Sequence, residues 1–307
     1  MSSRQSFRTR LSDVNRRYVV VYLVLTVLAI AYLTPLWSGV LTAVKTLDAL
    51  SRTLPFSPPG PGGFTFEPIA VAFGVLAPSM INSLLFTVPA TILSGFLGSF
   101  AAYGLTIVEW RGQTGLVVLF VAAIFLPSQA ILIPLSRFWA IVDLHSVLAH
   151  LGPINVWQLP FMKEHYVAII QLIVTHTAFG LGITTLLFRS HYLKMDADII
   201  ESARVDGASI TSIYRRIVFP LSIPMFAVVF IFQFTTIWNE FLYGLVLTGG
   251  GNASPATVAL NELSSGFAQR YNHLNAGAFL VALPTLIVYV LFGKQFVRGV
   301  AAEVETD

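Results

Sequence analysis

Long uncharged runs alternate with short charged stretches along the 307 residues of this chain. Six runs carry no Asp, Glu, Lys or Arg: residues 18–44, 68–108, 112–136, 165–188, 217–239 and 271–293, from 23 to 41 residues in length. At 1.5 Å per residue, a helix needs about 20 apolar residues to cross a hydrocarbon layer about 30 Å thick. Each run therefore predicts one membrane-spanning helix, giving an all-α polytopic membrane protein of six spans. In the longest run Pro78 predicts a boundary, with an interfacial segment before it and one helix over residues 79–107. In the third, Pro127 predicts a kink that frees backbone carbonyls.

Between the fourth and fifth runs, residues 189–216 hold nine charges: Arg189, Lys194, Asp196, Asp198, Glu201, Arg204, Asp206, Arg215 and Arg216. A charge at mid-membrane costs about 2.5–3.5 kcal/mol on the insertion scale, so this stretch stands in water on one face of the bilayer. Only 11% of the chain is charged, against about 25% for soluble domains. The net charge of +3 says less than its distribution. If the N-terminus is cytoplasmic, 13 of the 18 Lys and Arg residues fall inside and 5 outside, which predicts cytoplasmic termini in a plasma membrane. The first apolar run is too long for a cleaved signal core and is expected to remain. Without cysteine the chain has no disulfide or thiolate chemistry. No nucleic-acid partner is expected.

The expected organisation is a cytoplasmic segment 1–17, a first span with its outer loop over 18–76, a transmembrane domain over 77–293, and a cytoplasmic tail 294–307. Pro55, Pro58, Pro59, Gly60, Pro61, Gly62 and Gly63 predict an irregular outer connector. Ser94, Gly98 and Ala102, with Gly95 and Ser99 beside them, form a stripe of small residues suited to close helix packing in lipid. Segment 137–164, with Trp139, Pro153, Trp157 and Pro160, is expected at the outer boundary, where aromatic rings sit well. Residues 248–270 read as a polar outer loop, opening on Gly249-Gly250-Gly251-Asn252.

Within the charged stretch, Asp196 or Asp198 can cap a helix, and carboxylates there suit its dipole. Ile199, Ala203 and Val205/Asp206 fall near one face. Gly207 can end the helix in the left-handed conformation. Residues 208–216 can resume as a second helix, and Pro220 opens the next span. The expected product is a short helix held outside the bilayer, with Glu201 and Arg204 exposed on it.

The run Glu201-Ser202-Ala203-Arg204-Val205-Asp206-Gly207, followed by Ile217-Val218-Phe219-Pro220, resembles the signature loop of ABC importer permeases. Further marks are Asn82-Ser83-Leu84, Ile133-Pro134-Leu135, Phe179-Gly180-Leu181, Trp238-Asn239-Glu240-Phe241, Leu283-Pro284 and Phe296-Val297-Arg298-Gly299. Together they are similar to maltose-type, binding-protein-dependent sugar permeases, and residues 146–163 with Glu164-His165-Tyr166 look more like the glucose/mannose type. Ser202 and Phe219 depart mildly, standing where Ala and Leu are usual. The resemblance implies a type I importer permease fold with a cytoplasmic coupling helix in loop 189–220. It implies a second homologous permease subunit, a dimer of ATP-binding subunits gripping Glu201, Ser202, Ala203, Arg204, Asp206 and Gly207, and an extracytoplasmic binding protein delivering a mono- or oligosaccharide. In that family Glu201 would pair with a basic residue of the ATPase. The chain holds no Gly-x-x-x-x-Gly-Lys-Ser/Thr, so ATP and Mg²⁺ are expected on the partner, with no cofactor or metal here.

Polar side chains at membrane depth usually face a bundle interior or a water-filled path. Gln129, Gln233, Trp238, Asn239, Glu240 and Asn82 are therefore the candidates for a translocation path, with Trp238, Asn239 and Glu240 expected at its outer mouth. Asn82 also suits a helix cap or a packing contact, His176 an interhelical hydrogen bond, and Gln129 the backbone freed by Pro127. The alternative function is an ion-driven secondary transporter, with His176 or Glu240 titrating. A membrane enzyme would need a metal or nucleophile cluster, and the motifs for one are absent.

Overall fold

The computed structural model describes residues 16–108, 110–150, 155–266 and 270–304. The expected N-terminal segment as far as Asn15, Pro153, Gln269 and the last three residues of the expected tail lie outside them, as do the side chains of Phe296-Val297-Arg298-Gly299. The chain forms two compact units, Met1–Gly74 with Ser264–Leu280 and Val75–Leu263 with Val281–Asp307.

In the first unit α1 (Arg16–Ala43) carries the first span. Most of its apolar stretch Tyr18–Ala43 is unburied, as a lipid-facing helix should be, and only its end at Leu41, Thr42 and Ala43 is buried. A short α2 (Leu47–Arg52), capped by the Thr46 hydroxyl at 3.2 Å from Ala49 N, precedes the Pro/Gly connector. That connector is irregular as expected, and its ends are pinned by an isolated antiparallel bridge between Lys45 and Phe64. Lys45, expected among the outer charges, is fully buried. Its Nζ donates to Leu54 O at 2.8 Å, and Asn272 Nδ2 donates to Lys45 O at 3.0 Å.

The next helix, α3 (Glu67–Gly104), runs through both Pro78 and Pro89. The boundary expected at Pro78 is absent, and the interfacial segment is more helix: in lipid the remaining intrahelical bonds have no water to compete with them, so one missing N–H does not end the element. The third run behaves in the opposite way. Here α4 (Gln113–Ile124) stops, Pro127 takes an extended conformation, and α5 (Ser128–Val142) starts anew. The expected kink is a full break, consistent with the bias of residues before proline away from helix. At 12 residues, about 18 Å, α4 is too short to span. The spanning length lies over Ser128–Ala149 instead, α5 together with α6 (Leu144–Ala149). The outer segment thus starts later than expected. Trp139, placed at the boundary from the sequence, is a core residue whose indole donates to Thr175 Oγ1 at 3.1 Å.

The fourth span, α7 (Tyr166–Tyr192), packs closely on the small-residue stripe of α3. A Cβ at Gly98 would lie 2.2 Å from Thr184 Oγ1, and that hydroxyl donates to Ser94 O at 2.9 Å. Then follow α8 (Ala197–Val205), α9 (Ile210–Ile213), a π-helical turn over Tyr214–Val218 and α10 (Phe219–Leu221). Across Ser222 the chain bends by 73° into α11 (Ile223–Trp238). Pro220 therefore precedes the bend, and the fifth span opens at Ile223. The expected outer loop 248–270 contains helix: α12 (Leu242–Thr248) leads into it and α13 (Ala256–Gly266) lies within it. The last helix, α14 (Tyr271–Val304), continues beyond the expected sixth span. Among the described residues five helices are long and apolar enough to cross a membrane, six when the bent pair is one span.

Candidate functional site

Two places in the second unit bring chemistry-bearing residues together. The first is the charged turn around α8. Asp196 Oδ1 accepts from Asp198 N at 3.0 Å, as the capping argument requires. At the other end Gly207 has φ +77°, while Ala208 N donates to Ala203 O at 3.0 Å. This is the left-handed closure that only glycine adopts without strain. Ser209 then caps α9 through Ser212 N at 3.3 Å.

The face of α8 that packs inward differs from the one expected. Ile200 is buried and Ala203 half-buried against a cluster that includes Ile107, Phe188, Tyr192 and Tyr214. Ile199 is 45% exposed and Val205 84% exposed. At 100° per residue, positions 200, 203 and 204 share the inward face, and 198, 201, 202 and 205 the outward one. Arg204, at the edge of the inward face, is exposed with Glu201 as expected, and its guanidinium also donates to the carbonyl of Ile107, bracing the helix against the end of the second span. Glu201, Ser202, Asp206 and Gly207 stay exposed, with Val205 among them as an uncovered apolar surface.

Behind this turn lies a buried hydroxyl chain that the sequence did not reveal. Ser99 Oγ sits 2.6 Å from the Tyr192 hydroxyl and 2.7 Å from that of Tyr214. Tyr103 OH donates to Ile210 O at 2.8 Å. The spans and the charged turn are thus bonded together by side chains that are polar only at their tips.

The second place is a cavity of about 410 Å³ lined by Ile124, Leu126, His176, Phe179, Gln233, Thr236, Glu240 and Tyr243, among others. Gln233 is 2% exposed, and its Oε1 has no hydrogen-bond partner. A buried acceptor left unpaired costs about 1–3 kcal/mol. Its amide sits where Gly180 leaves room: a Cβ at 180 would lie 1.8 Å from Gln233 Nε2. The Phe179 and Tyr243 rings stack at 5.2 Å, and His176 meets Tyr243 edge-on at 5.7 Å.

The remaining path candidates scatter. Glu240 lines the cavity but spends both oxygens on backbone. Oε1 accepts from Leu242 N at 2.7 Å and Oε2 from Tyr243 N at 2.9 Å, so the carboxylate caps α12 and positions Tyr243. Burial raises its pKa, against the pull of those N–H groups toward the charged form. Trp238, expected at a mouth, is fully buried, its indole donating to Val281 O at 2.9 Å and tying α11 to α14. Asn239 Nδ2 bonds back to Thr235 O at 2.8 Å. Asn82 is no helix cap, since α3 runs through it. It donates to Asn252 O at 2.9 Å and Ser254 O at 3.3 Å, while Ser83 Oγ accepts from Ala256 N at 2.8 Å. Gln129 is exposed beside the Pro127 break. Among the described residues no cluster of three His, Asp or Glu side chains could hold a metal ion.

Of the candidates, only Gln233 and Glu240 share the cavity. Phe179, Gly180 and Tyr243 had gone unread there. The available signal was Gln233 in an otherwise apolar helix, with Gly180 inside another.

The family model for the binding-protein-dependent transport system inner membrane component matches residues 94–301. A xylose/arabinose import permease protein of Haloferax volcanii is 44% identical, over 95% of this chain and 94% of its own length. A glucose import system permease protein of Saccharolobus solfataricus is 27% identical over 92% of each chain. In fold, the chain is similar to a subunit of a bacterial ABC transporter for the acidic polysaccharide alginate. The TM-score is 0.63 and the identity 18%, over 91% of this chain and 95% of that one. A second structure of such a transporter, in complex with an alginate pentasaccharide-bound periplasmic protein, gives a TM-score of 0.62 at 16% identity, over 90% of this chain and 93% of that one.

Proposed function

Because the chain belongs to the family of binding-protein-dependent transport system inner membrane components, we propose that it is a membrane-spanning subunit of an ATP-driven importer that carries a mono- or oligosaccharide into the cell. A second, homologous permease subunit completes the pathway, and an extracytoplasmic binding protein delivers the sugar. ATP and Mg²⁺ are held by a separate ATPase dimer, and both termini of this chain are cytoplasmic.

The observation that carries this reading is the outward face of α8. Glu201, Ser202 and Val205 stand exposed on a helix that is capped at Asp196, closed at Gly207 and braced by Arg204. An exposed valine flanked by a carboxylate suits a groove in a partner protein, where the apolar side chain is covered and the charge finds a basic residue. Because α8 is tied to the spans by the Arg204–Ile107 bond and by the packing of Ile200 in the buried cluster, a push on α8 reaches them. Closure of the ATPase dimer then moves α8, and the spans alternate access between the two sides.

Reconstitution of the complete complex in proteoliposomes tests this with a panel of labelled pentoses, hexoses and disaccharides. Import of at least one should require ATP and the binding protein. Val205→Asp should cut uptake by about tenfold or more, since a buried unpaired charge at an interface costs more than 1.4 kcal/mol. Uptake by this chain without an ATPase, driven by an ion gradient, would overturn the proposal.

A further inference from the structure

We infer that this subunit holds a sugar-contact site of its own, in the cavity where Gln233 supplies the hydrogen-bonding amide and Phe179 and Tyr243 the apolar face. The inference rests on the sugar-import reading and gives that cargo a place in this chain.

The cavity is bounded by α7, α11, the Tyr243 end of α12 and the break between α4 and α5. Its volume of about 410 Å³ falls within the range of small-molecule sites, roughly 300–1,000 Å³. The wall is largely apolar, which makes the amide the informative group. A leucine at 233 would fill the same space with no unpaired oxygen, so packing alone gives no reason for glutamine. The backbone also accommodates it: Gly180 has no Cβ, and any Cβ there would collide with Gln233 Nε2 at 1.8 Å. An amide held in a notch with Oε1 unpartnered lacks a donor, and a hydroxyl entering the cavity is one.

The rest of the lining narrows the ligand class. Sugars offer hydroxyls at their edges and C–H groups on their ring faces, and the latter pack against aromatic rings. Phe179 and Tyr243 stack nearly parallel, at 20° between planes, and Tyr243 is set in place by the Glu240 cap. Among the described residues Glu240 is the only carboxylate on this wall, and its oxygens already accept from the N–H groups of residues 242–244. No free anion is left to attract a cationic solute. The chemistry that fits is a neutral polyol of saccharide size.

The chain contains no cysteine, so Thr236→Cys places a single thiol of this subunit on the cavity wall, at an exposed position. In the complete complex with cysteine-free partners, maleimide alkylation of that thiol is followed under turnover, with the imported sugar or with one the uptake assay rejects. Ile183→Cys serves if Thr236→Cys does not import. The imported sugar should slow alkylation by about fivefold or more and the rejected sugar should not, since a ligand occupying most of the site shields it in proportion to occupancy. In the Thr236→Cys background, Gln233→Leu should abolish the protection and lower uptake at limiting sugar by about tenfold, as expected for one lost ligand hydrogen bond. Equal alkylation with both sugars, or uptake unchanged in Gln233→Leu, overturns the site. So does a thiol unreactive in either condition, which would mean that a neighbouring subunit fills the cavity. If the unaltered complex imports no sugar at all, the functional reading itself falls. That outcome is seen before any thiol is added, so the two failures are distinct.

Discussion

Ser99 and Tyr214 share a buried hydrogen bond of 2.7 Å that joins the small-residue face of the second span to the π-helical turn leading into the fifth. Tyr192 bonds to the same serine from the fourth span, so one hydroxyl ties three elements together. A π turn carries a wider, less regular backbone ladder than an α-helix and often sits at functional sites. It stands just before a 73° bend, and in the proposed coupling it passes a displacement of α8 on to the fifth span.

Removing that link should loosen coupling more than folding. Tyr214→Phe keeps the ring among Phe100, Tyr103 and Phe219 and deletes only the hydroxyl, a net loss of about 0.5–1.5 kcal/mol. In proteoliposomes the sugar imported per ATP hydrolysed should fall severalfold while the complex still assembles. An unchanged ratio would show that the hydroxyl chain plays no part in coupling.

Asn82 makes a prediction about the loop at residues 249–255. Its amide holds the carbonyls of Asn252 and Ser254 from within the membrane-spanning helix. Asn82→Ala leaves both without that donor, at a cost of about 1–3 kcal/mol. Amide hydrogen exchange over residues 249–255 should accelerate, with protection in α8 unchanged. Equal exchange in both places would sink the clamp.

Glu240 should give stability a pH dependence of definite sign. Its folded pKa is raised by burial, so the proton is bound more tightly in the native state. The resulting stabilisation is fully present below the ordinary glutamate pKa of about 4.3 and is lost as pH rises through the raised value. The melting temperature of the detergent-solubilised protein should fall across that window, and Glu240→Gln, which no longer titrates, should flatten the profile. A Glu240→Gln profile parallel to that of the unaltered protein would assign the slope to other groups.

The readings from sequence succeeded and failed along one line. The cap at Asp196, the turn at Gly207 and the stripe through Gly98 were legible because each depends on residues a few positions apart or on one backbone conformation. The proline readings failed in opposite directions: Pro78 leaves α3 intact, whereas Pro127 ends α4. A proline sets a local cost, and whether the helix absorbs it depends on what packs around it. The polar candidates failed for a related reason. Trp238 and Asn82 within spans, and Glu240 just beyond one, share the polarity that suggested a transport path, yet each bonds to backbone in the second unit.

By itself, then, the sequence determined that the chain is a helical bundle of apolar spans and that the charged segment 189–216 must stand in water, because transfer free energies are set residue by residue. It also carried enough of the signature loop to identify the family. Which face of α8 turns inward, and that Gln233 lies in the notch of Gly180, were decided only by tertiary structure. Those facts depend on distances between residues on different elements, Gly180 and Gln233 being 53 positions apart, and no local propensity encodes them.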